Sequence, residues 1–265
     1  MPRTCLSSTT GSPAGSPARD LPPAGGLCAI HQPNLFPRLS TLAKLFAADY
    51  WIVLDDVQFA RRDYQHRALL ASLAALDQRQ WLTLPTRLPH GRSTVIREAR
   101  LADPVRSRRR VTHMLSQHYK RSPYWPLLRA KLDAVTAEFA ATDRTARIAE
   151  VSTRILLDLL GWEGRVLRSS QFVVRPDRSL RLVDLAVATG ATGYLCGPGG
   201  MKYLSTEPFS NQGLPVIPFV TPADGIWQGG RDTSALSPLM MQGPLAITGE
   251  LMELAVLHGI SHPAA

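Results

Sequence analysis

The sequence predicts an α/β fold: a mainly parallel sheet with a Rossmann-like βαβ start and a helical middle segment. The first observation is at the front of the chain. Leu27–His31 is a short apolar run, Leu39, Leu42, Ala43, Leu45 and Phe46 recur at helical spacing, and Tyr50–Leu54 is a second apolar run. Strand, helix and strand inside roughly 30 residues is the length of a βαβ unit. The second is a stretch of long helical stripes from about 103 to 161. The third is the return, after residue 164, of strand-length runs alternating with helical ones.

Each element has a local reason. Leu27–His31 ends in a polar residue and a Pro turn, and Pro37 suits the first turn of the helix that follows. Tyr50–Leu54 ends in Asp55-Asp56. Arg67–Leu76 has helical propensity, but with Trp81–Pro85 it also reads as a hairpin. Asp103-Pro104 is a cap followed by Pro at the first helical position, and Ser122-Pro123 repeats that signature. A third helix runs from about Arg144 to Leu160 and stops at Gly161. The expected core stripes are Val111, Met114 and Leu115, then Leu127, Leu128 and Leu132, then Ile148, Val151, Ile155 and Leu159. Arg165–Leu167, Gly193–Cys196 and Leu214–Phe219 read as strands, and Leu180–Ala188 as a helix ended by Gly190. Thr221–Gln242 has no clear period.

Residues 1–26 are rich in Pro, Gly, Ser and Ala and lack an apolar segment of signal-peptide kind. They read as a disordered tail, with too little apolar surface to offset the entropy of ordering. Residues 27–265 then form one domain with a helical insertion at about 103–161. No apolar run approaches the roughly 20 residues of a spanning helix. Cys5, Cys28 and Cys196 give no CxxC pair and no disulfide framework, so a reducing cytoplasm is expected. The net charge of +9 would attract phosphates, carrier proteins or nucleic acid, the alternative being biased Arg and Ala usage with a solvated helix face. No RRM, KH or zinc-finger pattern makes nucleic acid a dedicated partner.

Parallel strands bring chemistry to their carboxyl ends. His31 and the pair Asp55 and Asp56 are therefore expected at one sheet edge. His31 is a candidate general base near neutral pH, with one carboxylate orienting its ring. Along a strand, neighbours point to opposite faces, so both Asp residues face one site only if the strand has ended. No cofactor is expected, the alternative being a divalent metal on His31 and the two carboxylates. Gln32, Asn34 and Gln58 are candidate hydrogen-bonding groups for substrate. Arg61, Arg62 and Arg67 are candidate phosphate or carboxylate forks. Gly197, Gly199 and Gly200, in a turn after a strand, would present backbone N–H groups to a phosphate or oxyanion, with Lys202 and Tyr203 just beyond. Cys196 is a candidate nucleophile with His31 as its base, against a structural thiol.

Several blocks, in order, resemble the WbqC-like family. They are His31-Gln32-Pro33-Asn34-Leu35-Phe36-Pro37, Leu54-Asp55-Asp56-Val57-Gln58-Phe59, Arg61-Arg62 with Arg67, Trp81-Leu82-Thr83-Leu84-Pro85, Tyr119-Lys120-Arg121-Ser122-Pro123-Tyr124 and Tyr194-Leu195-Cys196-Gly197-Pro198 with Tyr203. The resemblance spans roughly residues 28 to 243, and its fifth block adds Tyr119 to the candidate substrate-binding set, against a plain helix-packing role. It implies a role in surface-polysaccharide or natural-product biosynthesis, modifying an activated sugar or a carrier-bound acyl or aminoacyl group. A transferase or acyl-chemistry enzyme acting on a phosphate-bearing or carrier-bound substrate is the expected function. The alternative is a non-catalytic module that binds a carrier protein or another partner. The chain departs from the family pattern at Asp63–His66, where an Asn-rich stretch is usual, at Cys196, and at Ser237, where an Asp is usual.

Overall fold

The computed structural model describes residues 25–75 and 77–260. The tail expected at 1–26 lies outside the described residues, apart from Gly25 and Gly26. In chain order, β1 (Leu27–His31), α1 (Leu39–Phe46) and β2 (Tyr50–Val53) form the opening unit. A hairpin β3 (Arg67–Ala71) and β4 (Arg79–Thr83) and a small pair β5 (Thr86–Arg87) and β6 (Arg100–Leu101) follow. Three long helices come next: α2 (Pro104–Tyr119), α3 (Trp125–Ala141) and α4 (Thr145–Leu159). The last third holds β7 (Arg165–Arg168), α5 (Arg178–Ala188), β8 (Gly193–Cys196), α6 (Pro198–Met201), α7 (Glu207–Ser210), β9 (Val216–Pro218), α8 (Leu236–Gln242) and α9 (Pro244–Leu257).

The main sheet has five strands in the order β7-β2-β1-β8-β9, and every pairing is parallel. The three inner strands, β2, β1 and β8, are buried on both faces, which the period of two makes visible. Ala29, Trp51, Val53 and Leu195 join the large apolar cluster of α1, α2, α3, α4, α8 and α9. Cys28, Ile30, Tyr50, Ile52, Tyr194 and Cys196 join a second cluster that includes Val183 and Leu185 of α5 and Phe209 of α7. Strands covered on both sides need apolar residues at every position, as in a parallel sheet.

Several local expectations hold. Asp103 caps α2, its carboxylate accepting from the Arg106 N–H at 2.8 Å. Gly161, at φ 76°, follows the end of α4 in the left-handed region that favours glycine. Others are corrected. Ser122-Pro123 does not open a helix: α3 starts at Trp125, and the Ser122 hydroxyl donates to the Met240 carbonyl while accepting from the Tyr124 N–H. Leu127 leaves the expected stripe and is half exposed, while Leu128 and Leu132 are buried. Arg67–Ala71 is a strand, because its five residues pair with Thr83–Arg79 and tertiary pairing overrides helix propensity. The aperiodic stretch contains α8, and α9 follows it without a sequence reading of its own. No helix among the described residues is long and apolar enough to cross a membrane.

Candidate functional site

The turn after β1 is held from several sides. The Asn34 carbonyl accepts from the Thr153 hydroxyl at 2.9 Å, and the Phe36 N–H donates to the Ser152 hydroxyl at 2.9 Å. Leu35 N–H donates to the Tyr64 carbonyl at 2.8 Å. These bonds hold Phe36 at φ 40°, a left-handed conformation unusual for an aromatic residue, with its ring buried. The turn is therefore fixed on α4 and aims the end of β1 at a cavity of about 330 Å³.

That cavity lies at the carboxyl edge of the sheet. β1 contributes Ile30 and His31, and β8 with its following turn contributes Tyr194 and Gly197–Gly200. α1 contributes Ser40, Thr41 and Lys44, and the flanking loops contribute Arg38, Phe219, Thr221 and Arg231. Lys44, Arg38 and Arg231 line it together with His31, and no carboxylate does. Lys44 is only 7% exposed and has no hydrogen-bond or ion-pair partner among the described residues. Burial, reinforced by Arg38, lowers its ammonium to about 8, although the nearby thiols of Cys196 and Cys28 pull the other way. Burial also holds His31 well below its usual value, and Lys44 and Arg38 add to the effect, so its ring is neutral near neutral pH. Arg38 lies over the Tyr64 ring at 4.3 Å and donates to the Arg231 carbonyl at 2.9 Å, while its buried Nε has no partner. Arg231 donates to the Thr221 carbonyl at 2.9 Å.

The glycine turn is tight for a steric reason. A Cβ on Gly200 would lie 2.6 Å from the Cys196 sulfur. The N–H of Gly200 donates to the Gly197 carbonyl at 3.0 Å, so that group serves the turn itself and is not presented to an oxyanion. Cys196 is buried, its thiol is pushed up by burial, and it faces the Gly197 carbonyl at 3.7 Å. A protonated, covered thiol fits the structural reading of this residue.

The carboxylates stand elsewhere. Strand β2 ends at Val53, which frees Asp55 and Asp56 to turn toward one place, but that place is the segment after β7. Asp55 accepts from the Ser170 N–H at 3.1 Å and the Ser170 hydroxyl at 2.9 Å. The Ser169 hydroxyl accepts from the Asp55 N–H and lies 3.2 Å from Asp55 Oδ1 and 2.5 Å from Asp56 Oδ1. Asp56 also pairs with Arg181 at 2.7 Å. The expected His31–carboxylate bond is not formed: His31 Nε2 lies 3.3 Å from Asn34 Oδ1. Among the described residues no three His, Cys, Asp or Glu side chains are grouped to hold a metal.

The other predicted site residues are spread around this edge. Gln32 accepts from Gln65 at 2.7 Å, and Gln58 donates to the Arg92 carbonyl at 2.6 Å. Arg61 and Arg62 are exposed, and Arg67 lies over the Trp81 ring and donates to the Arg62 carbonyl. Lys202 and Tyr203 are exposed, with Arg178 over the Tyr203 ring at 5.3 Å. Tyr119 is fully buried and bonds Ser237 at 3.1 Å. Of the predicted set, the cavity collects His31, Gly197, Gly199 and Gly200. Sequence reasoning missed Lys44, Arg38 and Arg231. One signal was present: in Leu39–Phe46 the only polar residues are Ser40, Thr41 and Lys44, spaced three and four apart on one helix face.

A second cavity, about 310 Å³, is lined by Asp77, Arg79, Thr233 and Ser237 among others. There Arg79 is matched by Asp77 in the lining and by Asp232 at 3.9 Å. Charge left uncompensated distinguishes the first cavity, which is the better candidate for binding.

A parallel α/β protein with a cationic cavity at the carboxyl ends of its strands is thus defined by fold and site. The chain belongs to the WbqC-like protein family, whose model matches residues 32–224. It is also similar to a protein of Mycobacterium tuberculosis described as "Uncharacterized protein Rv1507c". That relative is 23% identical over 194 residues, covering 72% of this chain and 80% of its own length. No solved structure matches the chain.

Proposed function

We propose that the protein is a transferase-like enzyme acting on a phosphate-bearing substrate, either an activated sugar or a carrier-bound acyl or aminoacyl group. The setting that fits is surface-polysaccharide or natural-product biosynthesis. One observation carries the reading: Lys44, Arg38 and Arg231 converge on one cavity that no carboxylate lines. Cations left without counter-charge in a cleft are suited to an anion, and the arginine forks to phosphate oxygens. His31, neutral and bonded to Asn34, is the group placed to accept a proton from a substrate hydroxyl or amine. Asp55 and Asp56 act in this reading as anchors that join the end of β2 to the Ser169-Ser170 segment and α5.

The test is thermal-shift screening with nucleotide sugars, acyl-CoAs and inorganic phosphate, on the wild type and on Arg38→Ala and His31→Ala. The expected result is stabilisation of the wild type by one phosphate-bearing class, lost in Arg38→Ala. In His31→Ala, binding is retained while turnover of that class is lost. Stabilisation by an acidic carrier protein, with none by any of the small molecules, would favour the partner-binding module instead.

A further inference from the structure

We propose that Lys44 is an imine-forming residue, and that the cavity takes an anionic substrate carrying an aldehyde or ketone. The inference rests on the anion-binding reading above and narrows it to a phosphate-bearing substrate with a free carbonyl, which sets aside the acyl alternative. Four observations carry it.

Lys44 lies in the wall of the cavity, almost fully buried, with no carboxylate or hydrogen-bond partner among the described residues. A lysine kept only for charge is normally paired or solvated, because an isolated buried ammonium is costly. Arg38 and Arg231 already supply permanent positive charge to the same cavity. A desolvated amine beside other cations is the arrangement that makes lysine a nucleophile. His31 supplies a neutral imidazole in the same wall. Gly197 leaves space beside the lysine stem, since even an added Cβ would reach only van der Waals distance, 3.8 Å from Lys44 Cδ.

The chemistry favours a carbonyl over an acyl group. An acyl group passed to Lys44 would end as a stable amide, which stops turnover. An imine forms and hydrolyses reversibly. The neutral amine attacks the carbonyl carbon, a C–N bond forms, and the C=O pair moves to oxygen. A proton passes from nitrogen to that oxygen by way of the His31 imidazole. A second proton from solvent then lets the oxygen leave as water, breaking the C–O bond and leaving a protonated imine. No oxidant or further reactant is needed.

The test uses the full chain and pyridoxal 5′-phosphate, a probe that carries both a phosphate and an aldehyde, followed by borohydride reduction. The protein has four lysines, Lys44, Lys120, Lys131 and Lys202, so peptide mapping reads each site separately. At a pH close to the Lys44 value of about 8, the adduct is expected on Lys44 before the other three. Excess inorganic phosphate should slow that adduct at least several-fold. Lys44→Arg, which keeps the charge, should abolish it while retaining the thermal shift with phosphate. Labelling of Lys120, Lys131 and Lys202 with Lys44 unmodified, or no faster than they are, would overturn the proposal. If phosphate still stabilises the protein in that case, the anion site stands and the imine alone is lost. If phosphate neither stabilises nor protects, both readings fall.

Discussion

Lys44 sets a conflict between stability and function in one side chain. Its folded value, about 8, lies below its ordinary value of 10.5, so folding disfavours the charged form. For such a group the penalty is absent above the unfolded value and becomes complete as pH falls through the folded one. At pH 7 the lysine is therefore a burden of roughly 3 kcal/mol, the free-energy equivalent of moving its ammonium from 10.5 to about 8. Lys44→Met, similar in length and uncharged, is expected to raise the melting temperature at pH 7. The gain should shrink between about pH 8 and pH 10.5. Melting curves across that range check it, and a gain that did not change with pH would contradict the assignment. A second residue-scale constraint sits at Ser169. One hydroxyl proton cannot serve both Asp55 and Asp56, and the closer approach, 2.5 Å, assigns it to Asp56. The Ser170 N–H and hydroxyl then satisfy Asp55.

At the scale of elements, the hairpin of β3 and β4 is tied to α8 by one side chain. The Ser237 hydroxyl donates to the Ala71 carbonyl at 3.2 Å and accepts from the Ala71 N–H and from Tyr119. This is the position where the sequence resemblance implies an Asp. A carboxylate there would meet the Ala71 carbonyl without a proton to share, so the serine suits the bonds this chain makes. Ser237 lines the second cavity and not the one around His31. Ser237→Ala is expected to cost about 1–3 kcal/mol in urea unfolding, since buried groups lose their partner, and to leave the thermal shift with phosphate unchanged.

Elements also explain what the sequence made legible. Strands β1 and β2 were readable because short, doubly buried runs are apolar throughout, and a turn signal bounds each. The cavity's glycine turn and His31 followed from strand direction alone. Lys44 was not readable as a site residue, because a lysine on a helix ordinarily marks the solvated face. α1 is an exception, since every residue in it except Ser40 is buried. The pairing of the two Asp residues with Ser169, Ser170 and Arg181 is also beyond local pattern: those partners lie more than 110 positions away in the chain.

For the molecule as a whole, a net charge of +9 accompanies a cavity lined by no carboxylate. Long-range attraction of an anionic ligand is screened over about 10 Å at 0.1 M salt and about 3 Å at 1 M. The association rate of a phosphate-bearing ligand is therefore expected to fall as sodium chloride rises, while its dissociation rate changes less. Stopped-flow binding at several salt concentrations would show this. An association rate indifferent to salt would mean that the surface charge does not steer the ligand.

The strand order carries a consequence in time. β1 sits at the centre of the sheet, but of its two neighbours only β2 is near it in the chain, while β8 starts at Gly193. During synthesis at roughly 5–20 residues per second, β1 and β2 emerge on the order of ten seconds before β8. Through that interval the future middle of the sheet is an open edge, and Cys28, Ala29 and Ile30 lack their final cover. The helices α2, α3 and α4 are made in the meantime, mostly from local contacts that form quickly. The oldest strand is thus the one that waits longest for its second partner, and its waiting edge is where a nascent chain of this protein is most open to mispairing.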